Sequence, residues 1–190
     1  MTIIVAVRKG NRAVLAADTA ESEGSMLIPA GYRANHTKII KHRRALLGMA
    51  GWSAVSDAME SVLRGEPDIL DTSSRAAVYE SFRRIHDVLK KDHYIETRED
   101  EKEQPVESSQ VDTLILTPEA IYSVESYRSV AEYTRFWAIG SGTRLALGAI
   151  YSLYRRMDNP RDIARAGVEA ACEFDDACML PLEVRALRGA

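Results

Sequence analysis

The chain opens with Thr2-Ile3-Ile4-Val5-Ala6-Val7, a run in which apolar and β-branched side chains follow one another without alternation. Successive side chains of a strand point to opposite faces, so such a run needs cover on both sides. Lys9-Gly10-Asn11 then reads as a hairpin turn, and a second apolar strand, Ala13 to Ala17, ends at Asp18. A chain that begins this way is constrained to place its first hairpin inside a layered structure, not on a solvated surface.

The remaining pattern supplies the layers. Thr19 to Asn35 is rich in Gly, Ser, Glu and Pro and reads as loop with at most short structure. Thr37 to Ile40 and Ala45 to Met49 predict a second hairpin. Val55, Met59, Val62 and Leu63 have helical spacing that stops at Gly65-Glu66-Pro67, and Val78, Phe82, Ile85 and Leu89 predict an amphipathic helix over Ser74 to Lys90. Val111 to Leu116 and Ala120 to Val124 form a hairpin around Thr117-Pro118-Glu119, and Thr134 to Ile139 is a further strand running into Gly140-Ser141-Gly142. Ala146, Ala149, Ile150 and Leu153 mark a third helix; Ile163, Ala166, Ala170 and Phe174 mark a fourth; Leu182 to Leu187 closes the chain as a strand. Strands, two helices, strands, two helices and a strand do not alternate singly, which argues against a doubly wound parallel fold. The expected class is α+β: two packed, largely antiparallel sheets with helix pairs outside.

The 190 residues suit a single domain, 1–190, and a chain of this length can bury roughly 70% of the surface its unfolded form exposes. A net charge of −3 gives no electrostatic case for nucleic acid or an anionic membrane as partner. Cys172 and Cys178 form no CxxC and no ligand spacing with the four histidines, so neither a disulfide framework nor structural zinc is expected, and a reduced cytoplasmic protein is the simplest reading. No apolar run is long enough to span a bilayer, and the opening turns basic too soon for a signal peptide. Between Glu96 and Glu107 eight of twelve residues are charged, six of them acidic; 91–110 is expected to be a charged, solvated surface loop.

Position two carries the chemistry. Removal of Met1, which a small second side chain favours, would leave an α-amine and a hydroxyl on one threonine. An alcohol is a poor nucleophile until a base takes its proton. An α-amine titrates near pH ~8 and can be that base. The first hairpin should return Asp18 to the neighbourhood of Thr2. Lys38, at the start of the third strand, could pair with Asp18 and ease loss of the hydroxyl proton. At Met49-Ala50-Gly51 a strand ends in a glycine before a helix, a junction where a backbone N–H can face an oxyanion or where a turn simply needs glycine. Gly140-Ser141-Gly142 repeats that junction; it is neither a nucleophile elbow nor a phosphate loop.

The opening TIIVAVRKGNRAVLAAD, then TKI, MAG, AIGSG and the closing IARAGVEAACEFDDACMLPLEV resemble, in order and over nearly the whole chain, the proteasome β-subunit-like family. This family of N-terminal nucleophile hydrolases includes the bacterial ATP-dependent heat-shock peptidase. The stretch from VESSQVDTLILTPEAIYSVE to AIGSGTRLALGAIYSLY is similar to its β-proteobacterial proteasome homologue subgroup. The resemblance implies a four-layer αββα sandwich and peptide-bond hydrolysis through an acyl-enzyme on Thr2. It assigns Asp18 and Lys38 to a supporting charge pair, the Gly51 N–H to the oxyanion, Ser141 and Asp175 to the surroundings of the α-amine, and Met49 with Ala50 to substrate binding, with an apolar preference. It implies no cofactor and no metal. The implied substrate is a peptide or unfolded protein. The implied assembly is a homo-oligomeric double ring, six- or sevenfold with sevenfold favoured, open to an ATPase unfoldase. Cys178 stands where the family usually has a serine, and a thiol is only a weak donor. Two other readings keep the same fold: a non-catalytic ring scaffold, and an amidase using the N-terminal threonine on a small substrate. A cysteine hydrolase built on Cys178 lacks any histidine downstream of it.

Overall fold

The structure, a computed structural model, describes residues 2–24, 26–99 and 104–188. Met1 and its removal therefore lie outside the described residues, as do the four central residues of the charged segment. The first hairpin is β1 (Ile3–Lys9) and β2 (Arg12–Asp18); a short arm follows, β3 (Glu21–Glu23) and β4 (Met26–Ile28), and a 3-10 turn at Ala30–Tyr32. Next come β5 (Ile39–His42), β6 (Ala45–Gly51), α1 (Ser53–Gly65) and α2 (Arg75–Asp92). The second half runs β7 (Val111–Leu116), β8 (Ile121–Val124), β9 (Val130–Tyr133), β10 (Phe136–Gly140), α3 (Thr143–Tyr154), α4 (Pro160–Phe174) and β11 (Leu182–Arg188).

Besides the two-stranded β3-β4 arm, two large antiparallel sheets result, with strand orders β10-β1-β2-β11 and β5-β6-β7-β8-β9. The unalternating first strand is explained at once. Ile3, Val5 and Val7 pack with Val14, Ala16 and the inner faces of α3 and α4 (Ala146, Ile150, Ile163, Val168). Ile4 and Ala6 point the other way, into the layer between the sheets, against Leu15, Leu46, Leu114 and Ile121. Ile3 and Ile4 are both fully buried, each side chain contributing roughly 1.5–3 kcal/mol on burial. Alternate residues of the second sheet, Leu47, Met49, Val111 and Ile115, meet Met59, Val62, Phe82 and Ile85 of α1 and α2. The expected αββα order of layers is what the packing forms.

Local signals set the helix ends. The Ser74 hydroxyl accepts from the Ala77 N–H at 3.1 Å and starts α2; Asn159 and the first-turn Pro160 do the same for α4. Strand β9 has no counterpart in the sequence expectation. It pairs with β8, and Tyr133 stacks on Trp137 at the start of β10, so tertiary contacts rather than its own pattern make Val130–Tyr133 a strand.

The charged segment is not simply solvated. Among the described residues, Thr97, Ser108 and Ser109 are buried. The Gln104 amide donates to the carbonyls of Thr97 and Val106 at 2.7 and 2.8 Å. The Glu99 carboxylate accepts from the hydroxyls of Ser108 and Tyr127. Buried His86 on α2 sits between Ser109 (2.9 Å) and Glu107 (3.1 Å), and Lys90 also pairs with Glu107. Polar side chains here find partners on α2 and beside β8, which a charge count along the chain cannot register.

Candidate active site

The register of the first hairpin decides what lies near Thr2. Ile4 pairs with Ala17, so Asp18 arrives beside the head of β1, and the Ile3 N–H donates to Asp18 Oδ1 at 3.0 Å. On the opposite side β10 pairs Gly140 with Ile3, which delivers Ser141 to the same end of the sheet. Lys38 comes from the second sheet, immediately before β5. Its Nζ donates to Thr2 Oγ1 at 2.7 Å and to Asp18 Oδ1 at 2.9 Å. The Thr2 hydroxyl donates to Asp18 Oδ1 as well. Asp18 is fully buried and Thr2 only 4% exposed, so these contacts are made away from bulk water, where hydrogen bonds to charged groups are at their strongest.

Asp18 is held from both oxygens. Its Oδ2 accepts from the Met179 N–H at 3.3 Å. Asp175 contributes to that contact from a distance: its carboxylate accepts from Ala177 N at 2.9 Å and its carbonyl from Cys178 N at 3.1 Å. It thus shapes the turn that presents Met179. Ser141 Oγ donates to the Thr2 carbonyl at 3.4 Å and lies 3.7 Å from Cys178 Sγ. Burial pushes the Cys178 thiol up to about 11 and Cys172 up to about 12, the nearby Asp18 carboxylate adding in the same direction. Neither is poised to form a thiolate, which weighs against a cysteine nucleophile.

Thr2 and Lys38 open onto a cavity of about 860 Å3. Met49 and Ala50 both line it although they project to opposite faces of β6: Met49 belongs to the core under α1 and α2, Ala50 to the core between the sheets. Gly51 ends β6 at the cavity wall with φ +154°, and a Cβ there would lie 2.5 Å from the Gln110 carbonyl oxygen, so sterics alone demand glycine. Trp52 occupies the position that caps α1 but makes no side-chain capping bond; it lies 72% exposed along the cavity. Glu21, on the β3–β4 arm, pairs with Arg33 at 2.7 Å and accepts from Ser53 at the start of α1, closing one rim. Motif reading passed over Glu21, Glu99, Asp112 and Arg185, all of which line the cavity; their only sequence signal is charge in or beside a strand or loop. Burial raises the Asp112 carboxyl, which accepts from the Ser126 N–H at 2.8 Å. Among the described residues no His, Cys, Asp and Glu cluster could hold a metal ion, and no helix is long and apolar enough to cross a membrane.

A four-layer αββα sandwich with a threonine at the head of a central strand, opening onto a cavity, defines the class: an N-terminal nucleophile hydrolase fold. No family model and no curated protein matches the sequence. Solved structures do. The chain is similar to Thiobacillus denitrificans BPH, alone and in complex with epoxomicin, at 32% identity and a TM-score of 0.91 in both cases. The match covers 99% of this chain and 99% of the chain solved with epoxomicin, or 98% of the chain solved alone. Eukaryotic HslV from Trypanosoma brucei shares the fold at a TM-score of 0.69 and 18% identity, over 98% of this chain and 99% of that one. The chain belongs to the proteasome β-subunit-like family of N-terminal nucleophile hydrolases.

Proposed function

We propose that this chain is a threonine endopeptidase whose nucleophile is Thr2 Oγ1. The observation that carries the reading is the convergence of Asp18 and Lys38 on that one hydroxyl beside the cavity that Thr2 lines. A lysine that already donates to the hydroxyl oxygen strengthens its hold as negative charge builds there, which is differential stabilisation of the transition state. With Met1 removed, the Thr2 α-amine takes the hydroxyl proton, directly or through a water, and Oγ1 attacks the peptide carbonyl. The Gly51 N–H faces the oxyanion. The tetrahedral species collapses to an ester as the proton passes to the leaving amine, and water then releases the carboxylate by the reverse proton route. Met49 and Ala50 favour apolar side chains on the acyl side. Ser141 and Asp175 keep the threonine backbone and the Met179 turn in place.

The family supports peptides or unfolded chains as substrates and a homo-oligomeric double ring, for which sevenfold order is our reading, with an ATPase unfoldase as possible partner and the cytoplasm as location. The presence of Cys178 beside Ser141, where a serine is the family norm, favours one competing reading: a ring scaffold without turnover. An amidase acting on a small substrate would keep Thr2 but work as a low-order oligomer, which gel filtration separates from a ring. Intact-protein mass spectrometry before and after epoxomicin, with which a structural relative was solved, decides activity. A mass lacking Met1 that gains one adduct mapped to Thr2, and a Thr2→Ala variant that gains none, is the expected result. Retained Met1 with no adduct supports the scaffold.

A further inference from the structure

The position of Lys38 is not explained by the sheet it leads into. The β5–β6 ladder begins at the Ile39–Gly48 pair, so the lysine's own backbone precedes the first rung. Its long side chain must nevertheless deliver an ammonium to two atoms of the other sheet. The grip on this backbone comes from Glu183 of β11, an edge strand of that other sheet. Glu183 Oε1 accepts from the Lys38 N–H at 2.8 Å and from the Thr37 hydroxyl at 2.7 Å, and Oε2 lies 2.9 Å from the same hydroxyl. Arg185, two residues along β11, donates through Nε to Glu183 Oε2 at 3.3 Å and through a terminal nitrogen to Thr37 Oγ1 at 3.0 Å.

Register makes this arrangement meaningful. Leu182 pairs with Asp18 and Glu183 with Ala17, so the carboxylate that holds Lys38 stands one residue from the strand position that carries Lys38's partner. Both ends of the Lys38–Asp18 pair are therefore referenced to the same two strands, β2 and β11. We infer that Glu183 is a positioning residue of the Thr2 site: through the Thr37–Lys38 backbone it sets where the Lys38 ammonium sits between Thr2 Oγ1 and Asp18. Neither Glu183 nor Thr37 touches the nucleophile; they act on the lysine. Arg185 neutralises the carboxylate so that it does not compete for the ammonium. The inference rests on Thr2 being the nucleophile and adds the part that aligns its activating lysine.

The test is the rate of Thr2 modification by a β-lactone, followed by intact mass across pH, in the full-length wild type, Glu183→Ala, Glu183→Gln and, as the control, Thr2→Ala. Displacement of an activating group by even about 1 Å can cost on the order of 10²-fold in rate. Glu183→Ala is expected to lose at least tenfold, with the rising limb of its pH profile moved to higher pH because the nucleophile loses the assistance of a nearby cation. Glu183→Gln keeps a carbonyl acceptor for the Lys38 N–H and is expected to recover most of the rate. A purely structural role would change the amount of folded protein and its melting temperature but leave the pH limb of the folded fraction where it was. Wild-type labelling with Glu183→Ala labelled at an equal rate, or with an unshifted pH limb, overturns the inference while leaving Thr2 as nucleophile. Wild type that never labels overturns both. If Glu183→Ala does not fold, Thr37→Val decides through the same pH limb: it removes the hydroxyl that Glu183 and Arg185 share and should give a smaller loss in the same direction, and an unshifted limb with a wild-type rate overturns the inference.

Discussion

Gly140 offers the sharpest way to disturb the candidate site without replacing any of its polar side chains. It ends β10 opposite Ile3 with φ +100°, a conformation that L side chains avoid. A Cβ added there would fall 2.1 Å from the Thr2 carbonyl oxygen, 2.9 Å from its carbonyl carbon and 3.3 Å from its Cγ2. Real Cβ contacts essentially never fall below 3.0 Å, so in Gly140→Ala the head of β1 must move by about 1 Å. Backbone strain of about 1 kcal/mol adds to roughly 1–3 kcal/mol of overpacking. For a chain of this size that corresponds to a fall in Tm of about 4–16 °C. The rate effect is larger in proportion: a displacement of about 1 Å between nucleophile and supporting groups is expected to slow modification of Thr2 by on the order of 10²-fold. Gly10→Ala is the matched control, since Gly10 also has a positive φ, +60°, but a Cβ there meets nothing within 4 Å. It should lose only about 1 kcal/mol, through strain alone, and label at the wild-type rate. Thermal melts and intact-mass kinetics on the two variants read both quantities. A Gly140→Ala protein that folds and labels as fast as wild type would refute the claim that this close approach locates Thr2.

Lys38→Met is expected to slow Thr2 modification by about 10²–10³-fold. It should also destabilise the fold, because fully buried Asp18 would lose its counter-charge. Adding Asp18→Asn should restore most of the melting temperature but none of the rate. His86 predicts a pH effect away from the site. Desolvation first, and the Arg128 guanidinium, hold its pKa below 6.5 against the opposing pull of Glu107 and Asp87. Its contribution to stability is complete above pH 6.5 and declines as pH falls below that value. The contribution of Glu107, held down to about 2 by Lys90 and His86, is present above 4.5 and lost as pH falls towards 2, so of these two groups only His86 changes its contribution between pH 6.5 and 4.5. Protection factors in 104–110, which divide out the intrinsic pH dependence of amide exchange, should therefore fall as pH drops below 6.5 in the wild type, and His86→Gln should flatten that change; an unchanged slope would remove His86 as its source.

Much of this arrangement was legible in the chain itself. An unalternating apolar strand needs cover on both faces, and that requirement alone predicts the central hairpin of a sandwich. Helical periodicity located the four α-helices of the described residues to within a few residues, since burial of one face is written directly into spacing. Hairpin arithmetic brought Asp18 to Thr2, because short antiparallel connections determine register locally. Other features depended on neighbours far away in the chain. Strand β9 exists because β8 offers it a ladder. The charged segment docks because His86 and Tyr127 meet its polar side chains. Lys38 sits against Thr2 only because β5 crosses over the first sheet, and Glu183, some 145 residues along, takes hold of its backbone. The repeat of apolar residues along a strand or helix records which face is buried, and is a local property. Which polar group meets which across two sheets is settled by how those faces pack, and no spacing along one strand contains it.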